Sequence, residues 1–274
     1  MEEIFSKKDQ TYFHIPEWEK MDPSLVAGFT TKNGGISEGA FSSLNTGYHV
    51  GDEKEDVVKN RTIVGNKIGM PLGHWVGCEQ THGKEIIKVT KEMAGRGAYD
   101  YETALKNTDG LYTDEEGILL TLCFADCVPI YYFAPKQRYI GIVHAGWKGT
   151  VKGIAGEMAQ RWINEGVEPS DIFVAIGPSI CEKCYIVDDK VIGEVNKRLE
   201  GKDKKPYNLI KEGQYSLNLQ LLNKQIMESA GLKNIAVTEL CTSCGREDFF
   251  SYRRDAGKTG RLMSFIGWKE AARK

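Results

Sequence analysis

Short runs rich in β-branched and aromatic residues, each bounded by turn residues, recur along the first two thirds of the chain, and no other feature constrains the fold as much. The runs at 26–31, 74–80, 85–89, 117–124, 128–133 and 139–144 are too short for helices and read as strands. After Trp147 the period changes. Val151, Ile154, Met158, Trp162 and Ile163 recur at helical spacing as far as Gly166, with Pro169 beyond, and predict a helix packed on the sheet. A buried strand is expected at 172–176, amphipathic helices at 191–198 and 217–229, and further strands at 235–239 and 262–266. The pattern implies an α+β or α/β chain, mostly β at its core, with helices concentrated in the second half. No repeat or Pro/Gly/Ser linker interrupts it, and the charged stretch at 200–205 reads as a surface loop, so one catalytic domain over 1–274 is the expected organisation.

Charge narrows the partners. With 36 basic and 38 acidic side chains, a formal charge of -2 and no long run of either sign, the chain offers no surface for nucleic acid or an anionic membrane. A small neutral or mildly anionic substrate fits better. The start lacks a basic segment followed by an apolar one, and no stretch approaches the roughly 18 apolar residues of a membrane span, so a cytoplasmic, unprocessed protein is expected. The seven cysteines are then reduced thiols and possible metal ligands rather than a disulfide framework.

Of the five histidines, two sit at predicted strand ends beside small residues, in Gln80-Thr81-His82-Gly83 and Val143-His144-Ala145-Gly146-Trp147. A strand fixes a backbone while its end opens to a cleft, which gives a ligand rigidity and access together. Between them, Phe124-Ala125-Asp126-Cys127-Val128-Pro129 joins two apolar strands and carries a thiol next to a carboxylate. Two imidazoles and one thiolate are a set that zinc accepts in tetrahedral geometry with a fourth position open for chemistry. Spacing alone leaves other readings standing. The three can be hydrogen-bonded structural residues; Cys127 can be a nucleophile with His144 as its base in a metal-free hydrolase; or Cys123, His49 or His74 can close the fourth position and leave a non-catalytic zinc module. Two Cys-x-x-Cys pairs, Cys181 with Cys184 and Cys241 with Cys244, have the form of a four-thiolate structural zinc site, but they lie far apart in the chain and the sequence leaves their meeting open.

These segments carry a wider resemblance. Gly28-Phe29-Thr30-Thr31-Lys32-Asn33-Gly34-Gly35-Ile36-Ser37, Ser43-Leu44-Asn45, His49-Val50-Gly51-Asp52, Gln80-Thr81-His82-Gly83, Ala125-Asp126-Cys127, His144-Ala145-Gly146-Trp147, Ile176-Gly177-Pro178-Ser179-Ile180 and Phe249-Phe250-Ser251-Tyr252-Arg253-Arg254-Asp255 stand in this order. Together they resemble the bacterial family long called polyphenol oxidases or multicopper laccases and more recently purine nucleoside phosphorylases, the YfiH/YlmD type. The family often has Arg where Lys32 and Lys148 stand, and Glu where Ile186 stands, which leaves small contacts open. The resemblance implies a layered α/β/β/α fold with mixed sheets covered by helices, and zinc held by His82, Cys127 and His144. It also implies phosphorolysis of adenosine, inosine, guanosine and S-methyl-5'-thioadenosine, with adenosine deamination as a related activity. Asp126, next to a ligand, is the candidate acid/base or orienting group. Lys32, Arg61 and Arg253 are candidate phosphate contacts, and Asn45 a candidate contact to ribose or base. The older oxidase label is harder to support, since several coppers would need more imidazoles than five histidines supply; one copper in place of zinc at the same ligands is the form of it that survives. Purine nucleosides and phosphate are the expected partners, with neither nucleic acid nor membrane, in a monomer or small homo-oligomer.

Overall fold

The structure is a computed structural model describing residues 3–201 and 204–270. One six-stranded sheet runs in spatial order Ser6–Lys7, Tyr12–His14, Leu25–Thr30, Leu262–Trp268, Ile118–Phe124 and Trp75–Gly77. A second runs Asn234–Val237, Phe173–Ile176, Val128–Ala134, Tyr139–Ala145, Gly110–Thr113 and Ile86–Lys88. Most neighbours are antiparallel, but Trp75–Gly77 joins Ile118–Phe124 in parallel, as Ile86–Lys88 joins Gly110–Thr113 and Asn234–Val237 joins Phe173–Ile176. Both sheets are therefore mixed.

Side-chain alternation stacks the layers. In Ile118–Phe124, Leu120, Leu122 and Phe124 point into the space between the sheets, while Leu119 and Cys123 point outward. In Val128–Ala134, Tyr131 and Phe133 take the inner face, and Val128, Ile130 and Tyr132 the outer. The outer face of the first sheet is covered by the helix Lys54–Ile68, whose Val64 and Ile68 pack with Leu119, Met263 and Phe265. The outer face of the second is covered by Ile154–Asn164, Asp189–Arg198 and Leu219–Ser229, through Met158, Trp162, Val195, Leu222 and Ile226. Three apolar cores thus separate four layers, the α/β/β/α arrangement expected.

Some elements depart from the expectation. The single helix predicted after Trp147 is two, Trp147–Lys152 and Ile154–Asn164, broken at Gly153 with φ +86°. A Cβ there would stand 2.5 Å from the Arg198 guanidinium, so the break is built for glycine. The helix Lys54–Ile68 has no counterpart among the predicted elements because Asn60 and Arg61, both buried, occupy its inner face and hide the apolar stripe. The run at 74–80 forms a strand only over Trp75–Gly77; His74 closes the 3-10 turn before it, and 78–80 lead into the loop that carries His82. In the charged stretch at 200–205, residues 202 and 203 lie outside the described residues and the others have no regular structure. No helix among the described residues is long and apolar enough to cross a membrane.

Candidate metal centre

His144 stands one residue before the end of the strand Tyr139–Ala145, on the face that Ile140 and Ile142 turn toward the first sheet, and its ring lies 5.3 Å from that of Phe124. Its partner across the ladder is Pro129. That pairing brings Cys127, just ahead of the same neighbouring strand, alongside. His82 comes from the loop between Trp75–Gly77 and Ile86–Lys88 and meets His144 edge-on, with ring centroids 4.8 Å apart. One ligand atom from each of His82, Cys127 and His144 lies within 4.8 Å of the other two, and Cys127 Sγ is 3.8 Å from His82 Nε2. A tetrahedral zinc with ordinary bond lengths separates such atoms by roughly 3.3–3.8 Å, so the three fit one ion of that size. Among the described residues no fourth His, Cys, Asp or Glu joins the group at that spacing. Gly146 keeps the space clear, since a Cβ on it would stand 2.7 Å from His82 Cδ2 and 3.0 Å from Cys127 Sγ.

The residue that organises the cluster is Asp109. Its fully buried carboxylate accepts a hydrogen bond from His144 Nδ1 at 2.8 Å, which fixes the proton on that nitrogen and aims Nε2 at the cluster. It also accepts from the amides of His82 at 3.0 Å, Thr81 at 3.1 Å and Gly83 at 2.7 Å, and so holds the whole His82 loop. Burial raises the pKa of Asp109, but the His144 contact and these amides outweigh it and bring it to about 2. Burial likewise raises the Cys127 thiol, yet the charge and hydrogen bond of His144 and the hydrogen bond of His82 pull it down to about 6. His144 moves the opposite way: burial lowers it, and the Cys127 charge and Asp109 raise it to about 9. Free of metal, Cys127 and His144 thus each favour the other's charged form.

Two cavities meet here, sharing His82, Ala125, Cys127 and Tyr252. One, of about 310 Å³, is walled by Trp147, Ile180, Tyr185 and Leu219, with Arg253 and Lys148 at its edge. The other, of about 400 Å³, is the more polar of the two, with His49, Gln80 and Arg261. Burial first, then the nearby Arg261 and Arg61 charges, lower the His49 pKa to about 4, so it faces this cavity as a neutral imidazole.

The other residues singled out in the sequence separate into those at the cavities and those behind them. Arg253 lines the aromatic cavity, its guanidinium 4.9 Å from the Tyr185 ring centroid and donating to Ile186 O at 2.8 Å. Asp126 also lines it, but its carboxylate accepts from Thr242 Oγ1 at 2.6 Å, Ser251 Oγ at 3.0 Å and Arg253 N at 2.7 Å. Asn45 and Arg61 are buried in the framework. Asn45 accepts from Arg261 N at 2.8 Å and donates to Asp52 at 2.8 Å; Arg61 donates to Thr46 O, Gly97 O and Ala98 O and lies against Tyr48. Lys32 lines neither cavity and bonds through its backbone to Asp248, Ser43 and Leu44. Of the alternative fourth ligands, His49 and Cys123 line the polar cavity, while His74 is bonded to Gly117 O. Sequence reasoning missed Asp109 and Arg261. The available signals were an acid at the start of the unrecognised strand Gly110–Thr113, and an arginine at the mouth-facing end of Leu262–Trp268.

Known proteins match this chain over nearly its whole length. A family model described as multi-copper polyphenol oxidoreductase laccase matches residues 26–269. The chain is 52% identical over 248 residues to a purine nucleoside phosphorylase YlmD of Geobacillus stearothermophilus, covering 89% of this chain and 90% of that one. It is 47% identical over 273 residues to the protein of the same name in Bacillus subtilis, covering 97% and 98%. The crystal structure of YlmD from Geobacillus stearothermophilus matches with a TM-score of 0.94 at 48% identity, over 98% of this chain and 100% of that one.

Proposed function

The chain belongs to the multi-copper polyphenol oxidoreductase laccase family, and from that membership and the site we propose a zinc-dependent purine nucleoside phosphorylase that cleaves adenosine, inosine, guanosine and S-methyl-5'-thioadenosine with phosphate, and deaminates adenosine as a secondary reaction. Its relatives named purine nucleoside phosphorylase supply the reaction class. The observation that carries the reading is the position of the His82, Cys127 and His144 cluster at the junction of an aromatic cavity and a cationic one. A purine is flat and apolar on its faces, which suits Trp147, Tyr185 and Tyr252; phosphate is an anion, which suits Arg261. The substrate then lies with its glycosidic bond between the two.

Within that arrangement the side chains have distinct work. Arg261 holds the attacking phosphate, and neutral His49 accepts from a phosphate or ribose hydroxyl without competing for the anion's charge partner. Arg253, held against Tyr185, sets the edge of the base pocket. Asp109 fixes the His144 tautomer, and Asp126 fixes the loop that carries Arg253. Zinc at His82, Cys127 and His144 supplies Lewis-acid chemistry. Copper in place of zinc keeps the same ligands, but only His82 and His144 of the five histidines enter the cluster, which suits one ion and not a set of coppers.

One rival has a specific observation in its favour: Cys127, His144 and Asp109 form a polarised thiolate–imidazole–carboxylate chain, the arrangement of a cysteine hydrolase. The deciding experiment counts zinc and copper per chain and follows adenosine with and without phosphate by product chromatography, before and after chelation. Adenine and ribose-1-phosphate that appear only with phosphate, and are lost together with one zinc in Cys127→Ala, support the phosphorylase. Turnover that persists in chelated protein and is blocked by alkylation of Cys127 supports the hydrolase.

A further inference from the structure

Four other thiols converge away from the cavities. Cys181 and Cys184 flank and close a single turn of helix, Glu182–Cys184, and Cys241 and Cys244 bracket a second tight turn. The strands Phe173–Ile176 and Asn234–Val237, parallel neighbours, lead into the two turns, and the pairing continues beyond them through the Ser179 and Cys241 bridge and the bond from Thr242 N to Ser179 O at 3.0 Å. That shared path brings pairs distant in sequence to one place. All four sulfurs lie within 4.8 Å of one another, with Cys184 and Cys244 3.4 Å apart and Cys181 and Cys244 3.9 Å apart. A tetrahedral tetrathiolate zinc sets its sulfurs roughly 3.8 Å apart. A disulfide needs about 2.05 Å, and all four cysteines are free.

The backbone favours the anionic form of one of these sulfurs, Cys241. The amides of Cys181 and Cys244 both point at Cys241 Sγ, at 3.2 and 3.4 Å. Amides aimed at sulfur stabilise its anionic form, and four neighbouring thiolates are tolerable only around a cation. Cys241 is buried, Cys181 and Cys184 partly so, and Cys244 exposed, so the cluster sits at the surface with an open route for an ion.

We propose that Cys181, Cys184, Cys241 and Cys244 bind a second zinc ion in a closed tetrathiolate site whose role is structural. It stands whichever reaction the cavities perform. Binding exchanges thiol protons for the metal, and the four sulfurs complete the coordination, so no position is left for a substrate. What the ion would fasten is visible in the chain. Ile180 precedes Cys181 and Tyr185 follows Cys184, and both wall the aromatic cavity. Between Cys241 and Cys244, Thr242 donates to Asp126, and the carbonyls of Thr242 and Ser243 accept from the Arg254 guanidinium. The site thus joins the turn that shapes one wall to the turn that steadies Asp126 and the segment bearing Arg253.

Elemental analysis of the full-length protein, purified under reducing conditions, tests this. Two zinc ions per chain are expected, falling to one in the double variant Cys184→Ser with Cys244→Ser, and falling to the other one in Cys127→Ala. Cobalt substituted into the protein should show strong thiolate-to-metal absorption that the double variant largely loses and Cys127→Ala largely keeps. A single zinc that Cys127→Ala alone removes would overturn the proposal, as would an intact mass revealing a disulfide among the four. If the double variant does not fold, the count and the cobalt spectrum of the unaltered protein decide. Two zinc ions with no nucleoside cleavage would leave this site standing and remove the phosphorylase reading; one zinc that only Cys127→Ala removes, with cleavage, would do the reverse.

Discussion

Replacing Asp109 by Asn is the sharpest test of how the metal cluster is held. The carboxylate places two donors on one oxygen, His144 Nδ1 and the His82 amide, and three on the other, the Thr81 amide and hydroxyl and the Gly83 amide. An amide side chain offers one accepting oxygen. If that oxygen keeps His144 and His82, the new NH2 faces the Thr81 and Gly83 amides; if it turns, it faces His144. Each buried donor left without an acceptor costs about 1–3 kcal/mol, so the first orientation is worth roughly 2–6 kcal/mol of lost stability, concentrated in the His82 loop. Loss of a partner that orients a ligand lowers metal affinity by typically 10- to 100-fold, or about 1.4–2.8 kcal/mol. We expect Asp109→Asn to remain folded, to melt earlier, and to bind zinc at the His82, Cys127 and His144 cluster 10- to 100-fold more weakly in competition with a chromogenic chelator. An Asp109→Asn protein that holds this zinc within threefold of the unaltered one would refute the assignment of Asp109 as the organiser.

Gly146→Ala should lower zinc affinity at least about tenfold without unfolding the chain, because the backbone there, φ -67° and ψ 168°, accepts alanine while the added methyl crowds His82 and Cys127; unchanged metal content under chelator competition would count against the cluster's geometry. Arg261→Gln should raise the KM for phosphate roughly 10- to 100-fold, the worth of about 1.5–3 kcal/mol for a charged hydrogen bond, with a smaller effect on the nucleoside KM; equal effects on both would move Arg261 out of the phosphate role. In chelated protein, alkylation of Cys127 followed by peptide mapping should show a half-maximal rate near pH 6, and a midpoint above 8 would show that His144 does not polarise the thiol. His49, lowered to about 4 in the fold against an ordinary 6.5, is protonated first in the unfolded chain as pH falls. Chelated protein should therefore lose up to about 3 kcal/mol between pH 6.5 and 4 through this group, and denaturant melts of His49→Asn should lack that part of the slope.

The cluster of His82, Cys127 and His144 was legible because each member lies at or beside a strand end flanked by small residues. His144 stands one residue before the end of a strand, Cys127 just ahead of the adjacent one, and the small residues beside them mark an open end. The layering was legible because Ile118–Phe124 and Val128–Ala134 show their two buried faces by alternation. Asp109 was hidden because its meaning depends on the parallel pairing of Ile86–Lys88 with Gly110–Thr113, a long-range contact that leaves no periodic mark on either short strand. The substrate-contact candidates were chosen by the motifs that hold or adjoin them and not by the surface they face. Asn45 and Arg61 stand in or near conspicuous motifs yet face inward, while Arg261, in none, faces the polar cavity.

The two acids near the cluster share a task that neither the motif nor the charge reveals. His82 and Asp126 both hold left-handed backbone, φ +60° and +88°, a conformation that costs a residue with a Cβ on the order of 1–2 kcal/mol. Each strained turn is met by a carboxylate that binds several groups at once: Asp109 accepts the His82 amide and both amides flanking it, and Asp126 accepts from Thr242, Ser251 and Arg253 across the cleft. Several hydrogen bonds to a charged acceptor, each worth about 1.5–3 kcal/mol, exceed the cost of one such residue. The strain therefore does not loosen the loops; it is the geometry by which His82 and Cys127 reach His144. A cluster assembled from three separate segments needs such fixed turns, because a loop free to relax would carry its side chain out of the few ångströms that join the three.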